Sequence, residues 1–352
     1  MLNINVLDLF CGAGGLSCGF ERAGYNIIAG IDNDIEALHT YKKNHKNTLV
    51  IQHDLSKNLL DVDSKDIINL KKLKIDVIVG GPPCQGMSIA GKRIGNDPRN
   101  NLYKAYKKLI EYYKPKVIVL ENVPTIMSLF NGKIATAIVN DFSAQGYTVS
   151  IHTIFASDYG VPQKRKRTFF IGLLGNKFTF PIASTKNMPI TTFVALSDLP
   201  LLEHNLGAPE LEYAMPARNQ YQKTMRNKSK KIYNHEAVAH TAKTKKIIAM
   251  VPDGGNYKNL PLELQKTRKV HIAWTRMNSK KPSFTIDAGH NHHFHYKANR
   301  VPTVRECARL QSFPDTFIFY GKRSNQYRQV GNAVPPILAK TIADELKRYL
   351  YV

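Results

Sequence analysis

Four short apolar runs set the strongest limit on what this chain can fold into: INVLDLF (4–10), NIIAGID (26–32), DVIVG (76–80) and KVIVLE (116–121). Each is continuously apolar rather than alternating, so each needs cover on both faces, as in the interior of a parallel sheet. Leu49–Asp54 makes a fifth strand. Gly15–Ala23, Ile35–Asn44 and Leu102–Tyr113 carry helical spacing between them. The alternation predicts a doubly wound, Rossmann-like α/β sheet. Two later runs, Val149–Phe155 and Arg167–Leu174, flank the turn-rich SDYGVPQKRK and are expected to pair antiparallel at the sheet edge.

From about Lys177 the texture changes. Segments such as ASTKNMP, PARNQYQK and NKSKK are polar, basic and dotted with proline, which predicts a second, smaller, loop-rich lobe. Regular structure returns at Val304–Gln311 and in a final helix, Ile337–Tyr351, introduced by Pro335-Pro336. The basic residues concentrate in the same region. Of a net charge of +23, the stretch from Val161 to Arg300 holds 24 Lys+Arg against 8 Asp+Glu. Such a surplus favours a polyanionic partner, because neutralising phosphates releases counterions. No apolar span of about 20 residues suggests a membrane instead. The N-terminus lacks the pattern of a secretory signal, and the four cysteines show no CxxC spacing. The expectation is therefore a cytoplasmic protein with reduced thiols and no thiolate metal site.

Four constellations carry chemistry. DLFCGAGG (8–15) follows the first strand, where glycines let a ligand approach the backbone. Asp32 and Asp34 follow the second strand, where an acid commonly grips ribose hydroxyls. By itself this is equally an ordinary tight turn, and neither the full dinucleotide fingerprint nor a phosphate loop is present. IVGGPPCQGMS (78–88) follows the fourth strand. A lone cysteine is usually a small buried hydrophobe. Cys84 instead follows Pro82-Pro83 on a loop at the carboxyl edge of the sheet, where nucleophiles stand, and a glycine-containing polar segment able to move as a lid comes after it. LENVP (120–124) sends Glu121 out of an apolar strand, either as a catalytic carboxyl or into a satisfied turn. QKRKR (163–167) puts Gln163, Arg165 and Arg167 on one side of an extended chain, although alone it reads as a solvated basic turn.

Taken in order, DLFCGAGG … GGPPCQGMS … LENVP … QKRKR … TVRECARLQSFPD … QVGNAVPP resembles the motif set of the bacterial cytosine-5 DNA methyltransferases over most of residues 1–175 and 303–352. The resemblance implies a catalytic, S-adenosylmethionine-binding domain over 1–176 and 327–352, and a target-recognition domain with hinge over 177–326. It implies Cys84 as the nucleophile toward cytosine C6, Glu121 as the carboxyl at N3 and N4, Arg167 reaching O2, and Arg165 supporting the loop and the substrate. Phe10, Gly12, Gly14, Asp32, Asp54, Pro83 and Asn332 match positions around S-adenosylmethionine. Asp32 stands where many relatives have the longer glutamate.

The chemistry explains the residue types. Cytosine C5 is a poor nucleophile, and thiolate addition at C6 makes it an enamine that can take a methyl group. The base must leave the duplex first, at a cost of a few kcal/mol. Double-stranded DNA is the expected partner, acted on by a monomer alongside a cognate restriction endonuclease without a stable complex. The RNA-acting branch would share the catalytic loop but usually carries a Cys-Phe-Thr signature absent here. A nicotinamide oxidoreductase explains the glycines but not GGPPCQ or LENVP. HNHHFHY (290–296) invites a zinc site but lacks a matching Cys/His pair. Asp253-Gly254-Gly255-Asn256 reads as a turn.

Overall fold

The computed structural model describes residues 3–83, 100–267, 274–288 and 293–351. Cys84 therefore lies outside the described residues, as do His290 and His292. The chain divides into two compact units, Met1–Phe155 with Lys166–Ile182 and Leu338–Val352, and Ala156–Arg165 with Ala183–Ile337.

The first unit begins β1 (Asn5–Leu9), α1 (Gly15–Arg22), β2 (Asn26–Asp32), α2 (Ile35–Asn44), β3 (Leu49–Gln52) and α3 (Lys65–Lys71). It continues β4 (Val77–Gly80), α4 (Asn100–Tyr113), β5 (Val117–Asn122), α5 (Lys133–Ser143), β6 (Tyr147–Phe155) and β7 (Lys166–Leu174). Seven strands form one sheet in the order β3-β2-β1-β4-β5-β7-β6. The first five are parallel; β7 runs antiparallel to both β5 and β6. The edge pair expected from sequence is present, with β7 as its inner member. Chain order runs outward from β1 to β3 and then restarts at β4 on β1's other side. The carboxyl ends of β1 and β4 thus form the switch point, where open α/β sheets bind ligands.

Burial accounts for the runs. Strands β4 and β5 are buried at every position and β1 at four of five. Leu7, Leu9, Ile78, Ile118 and Leu120 pack with Tyr106, Leu109, Ile110 and Phe142. Each such aliphatic side chain contributes roughly 1.5–3 kcal/mol through burial. The Tyr106 hydroxyl donates to the Val119 carbonyl at 3.1 Å, tying α4 to the sheet. The last helix, Pro336–Leu350, contributes its residues from Leu338 onward to this unit. Tyr25 donates to the Ala343 carbonyl at 2.8 Å, and the Tyr349 hydroxyl accepts from the Thr179 amide at 3.1 Å.

The second unit holds α6 (Thr192–Leu196), β8 (Gly207–Glu212), α7 (Gln220–Arg226), β9 (Lys231–Glu236), α8 (Ala242–Ala249), α9 (Leu262–Gln265), α10 (Val304–Leu310) and α11 (Arg323–Asn332). Its only described sheet is the β8–β9 pair, and long irregular segments join the helices. Helix α10 is buried at all seven positions despite carrying Arg305, Glu306 and Arg309. Each charge is answered. Arg309 meets Asp198 at 3.0 Å and Asp315 at 2.6 Å, Arg300 clamps Glu306 with two bonds of 2.7 and 2.8 Å, and Arg305 donates to the carbonyls of Tyr233, Pro314 and Phe317. Thr303 and Glu306 also cap the helix reciprocally. Losing one member of such a network leaves a buried charge uncompensated, at about 3–5 kcal/mol.

His295 of the histidine-rich run belongs to this network. Its Nδ1 accepts from the amides of Lys297 and Ala298 at 3.1 and 2.9 Å, while Nε2 lies 3.6 Å from Glu306. Burial lowers its pKa to about 4, so the ring is neutral near pH 7 and organises a turn. Among the described residues no group of three His, Cys, Asp or Glu side chains is placed to hold a metal ion. Asp253-Gly254 is a turn, with Gly254 at φ +73° and Asp253 accepting from the Ser279 amide and hydroxyl.

Candidate active site

The carboxyl end of β1 turns sharply. Phe10 (φ +57°), Gly12 (φ +52°) and Gly14 (φ +96°) all occupy the left-handed region. For a phenylalanine this costs on the order of 1–2 kcal/mol, so surrounding structure must hold it there. Gly14 is required twice over: besides its φ, a Cβ would stand 2.2 Å from His45 Nε2. At Gly12 the space a Cβ would enter is open to 4 Å. Asp32, at the end of β2, holds the turn. Its Oδ2 accepts from the Gly12 amide at 2.8 Å and its Oδ1 from the Asp34 amide at 2.9 Å. Burial raises the Asp32 pKa, opposed by those backbone bonds. Asp34 has a different task, capping α2 by accepting from the Glu36 and Ala37 amides.

Under the turn lies a chain of hydroxyls that sequence reasoning missed. Ser17 donates to Asp8 Oδ2 at 2.6 Å and shares a 2.7 Å bond with the Tyr41 hydroxyl. Asp8 is fully buried, which raises its pKa to about 7, and its Oδ1 has no hydrogen-bond partner among the described residues. Asp54, beyond β3, is exposed and turns back to accept from the Ser56 amide at 2.9 Å, which lowers its pKa. An open Gly12 surface, a fixed Asp32 carboxyl and a solvent-facing Asp54 at the ends of three adjacent parallel strands fit a nucleoside ligand.

The ends of β4 and β5 make the second half. Asn122, the last residue of β5, donates to the Pro82 carbonyl at 2.8 Å and fixes the Gly81-Pro82-Pro83 segment that leads to Cys84. Pro82 is buried and Pro83 exposed. Glu121, one residue earlier, is 8% exposed. Its Oε1 lies 2.7 Å from Arg167 Nε at the start of β7, an ion pair in which the N–H is not aligned on the oxygen. Among the described residues Glu121 Oε1 thus has charge compensation but no hydrogen bond. Gly81 makes room for the carboxyl, since a Cβ there would approach Glu121 Oε2 to 2.9 Å. Nothing in the spacing of GGPP signals that second duty.

In the QKRKR run Gln163 and Arg165 are buried while Lys164 and Lys166 are exposed, the alternation expected from an extended chain. Arg165 belongs to the second unit and donates to the Gly331 carbonyl at 2.7 Å, beside Asn332. It therefore acts on the backbone of QVGNAVPP. The structure brings together Glu121 with Arg167, Gly12 with Asp32, and Arg165 with Gly331. Asn332 is exposed at the end of α11, in the second unit. Cys11, Cys18 and Cys307 are buried thiols. Burial pushes Cys18 up to about 12 and raises the other two as well, so none of the three is a ready nucleophile.

Comparison with known proteins supplies the family. The profile of the family described as C-5 cytosine-specific DNA methylase matches residues 4–348. The Type II methyltransferase M.DdeI of Desulfomicrobium norvegicum is 37% identical over 98% of this chain and 89% of its own length. The Type II methyltransferase M1.HphI of Haemophilus parahaemolyticus is 37% identical over 97% of this chain and 86% of its own. Among solved structures, one described as an E. coli DNA modification methyltransferase encoded within a prophage superposes with a TM-score of 0.82 at 28% identity, covering 99% of this chain and all of the other. The chain belongs to the C-5 cytosine-specific DNA methylase family and is a DNA cytosine-5-methyltransferase.

Proposed function

We propose that this enzyme methylates a flipped cytosine through a covalent bond from Cys84, with Glu121 and Arg167 stabilising the activated base. The observation that carries the reading is Glu121: a buried carboxyl, neutralised by Arg167, with an oxygen that has no hydrogen-bond partner among the described residues, at the carboxyl edge of the sheet. Burying such a group is costly unless a ligand completes it. Cys84 Sγ adds to C6, and the electron pair moves into the ring. Glu121 at N3 and N4, and Arg167 at O2, stabilise the charge that develops there. After C5 is methylated, loss of its proton to a base, water included, returns the electrons and expels the Cys84 thiolate.

Family and fold imply an S-adenosylmethionine-dependent enzyme. When bound, S-adenosylmethionine supplies a methyl group activated by a sulfonium. Phe10, Gly12, Gly14, Asp32, Asp54 and Pro83 are the first unit's candidates to hold it. Asn332 is added from the QVGNAVPP motif alone. Asp32→Ala removes the acceptor from two backbone amides as well as the carboxyl proposed to meet the ribose. Calorimetric titration should show S-adenosylmethionine binding weakened about 10–100-fold, on the scale of one or two charge-assisted hydrogen bonds. Affinity unchanged by Asp32→Ala would remove Asp32 from the binding set.

We further propose that residues 1–176 with 327–352 form the catalytic domain and 177–326 the target-recognition domain. The enzyme works as a cytoplasmic monomer protecting DNA from a cognate endonuclease. No described helix is long and apolar enough to cross a membrane. The test is bisulfite sequencing of DNA from a host expressing the protein. A single recurrent sequence with protected cytosines is the expected result; unmodified DNA from a host producing folded enzyme refutes the proposal.

A further inference from the structure

Phe284 is 41% exposed within an otherwise clamped segment. On one side, the Ser283 amide donates to the Pro162 carbonyl at 2.9 Å and the Ser283 carbonyl accepts from the Lys164 amide at 2.8 Å. On the other, the Ile286 amide donates to Gln163 Oε1 at 3.0 Å and the Thr285 hydroxyl to the Lys164 carbonyl at 3.1 Å. Gln163 is itself fully buried and bonded to the Leu310 carbonyl. The ring therefore projects from a fixed stem. Beneath it lies His293, stacked with centroids 4.2 Å apart and planes 16° from parallel. One face of Phe284 is covered by imidazole, so its exposed area belongs to the opposite face and the edge.

A scattered exposed phenylalanine needs no explanation. This one differs in its rigid stem, its backing ring and its neighbours. Lys164, Lys280 and Lys281 are exposed close by in the chain segments that meet here, and Lys164 precedes Arg167 by three residues. Aromatic rings set among cations are the composition of surfaces that stack nucleobases while lysines meet the phosphates. Extruding a cytosine leaves its neighbours in the duplex without a stacking partner. We propose that Phe284, backed by His293, stacks on a base of the substrate DNA close to the target cytosine. The pair also gives the histidine-rich run a role besides the turn made by His295.

The inference rests on the DNA-methylating reading. Methylation by the wild-type protein of the duplex used below tests that reading separately. The duplex carries a site found by bisulfite sequencing, and binding is measured by fluorescence anisotropy for the wild type and for Phe284→Ala, Phe284→Leu and Phe284→Tyr. Phe284→Ala should weaken binding about 10-fold, Phe284→Leu nearly as much, and Phe284→Tyr less than about twofold, as expected for loss or retention of one stacked ring. Abasic nucleotides are then placed at each position around the target. At one of them the wild type should weaken by a similar factor and Phe284→Ala no further. Leucine binding as well as phenylalanine, or losses that add at every position, would overturn the proposal.

Discussion

Replacing Cys84 by alanine should abolish methyl transfer, by about 10⁴-fold or more, while leaving DNA binding intact. The reason lies in the substrate. C5 of cytosine is not nucleophilic enough to take a methyl group unless C6 first carries an added electron-rich group. No other cysteine can substitute, because Cys11, Cys18 and Cys307 are buried with raised pKa values. Transfer of tritiated methyl groups to duplex DNA measures the loss, and a gel shift measures the binding that should remain. A duplex with fluorine at C5 of the target supplies a second readout. Such a base has no C5 proton to release after methylation, so the adduct persists through denaturing electrophoresis with the wild type and is missing with Cys84→Ala. Normal turnover by Cys84→Ala, or an adduct formed by it, would sink the mechanism.

How much of this was legible in the sequence depends on the range of the interaction concerned. Strands buried on both faces announce themselves locally, so β1, β2, β4 and β5 were found with ends shifted by a residue at most. The insertion of β7 between β5 and β6 is a matter of register between distant segments, Glu121 opposite Phe169 and Ile151 opposite Phe170, which local periodicity does not encode. Motifs located Glu121 and Arg167 but not their ion pair. Asp32 and Asp34 look interchangeable as acids after a strand, and only the amides they accept from separate a turn clamp from a helix cap. Arg165 reads as one more surface cation until its guanidinium is found on the Gly331 carbonyl. Gly331 itself is needed for a different contact: a Cβ there would stand 2.7 Å from the Ala288 backbone. The charges of α10 mislead in the same way, since a helix with three ionised residues in seven suggests a solvated face. Here carboxylates and carbonyls from distant segments enclose it.

The Glu121–Arg167 pair permits the sharpest separation of catalysis from architecture. Glu121→Gln keeps the size and planarity of the side chain but removes its charge and its ability to hold a proton for the base. The expected loss is about 10²–10³-fold in kcat, the usual scale for deleting one group aimed at developing charge. DNA affinity should move only a few-fold, because the proposed partner of the carboxyl is the base rather than the phosphates. Rapid-quench trapping of the C5-fluorinated duplex should show slower adduct formation, since charge develops during the addition step. Arg167→Gln should be similarly impaired. Each single substitution also leaves its partner nine-tenths or nearly so buried without its counter-ion, with side-chain exposures of 10% for Glu121 and 14% for Arg167. The double substitution removes both charges and restores neutrality. If the pair acts as a unit, its rate should fall much less than the product of the single losses implies, with a coupling of about 0.5–3 kcal/mol. Strictly multiplicative losses would mean that each group meets the base independently. A Glu121→Gln enzyme retaining a third or more of the wild-type rate would mean that the carboxyl serves only to anchor Arg167.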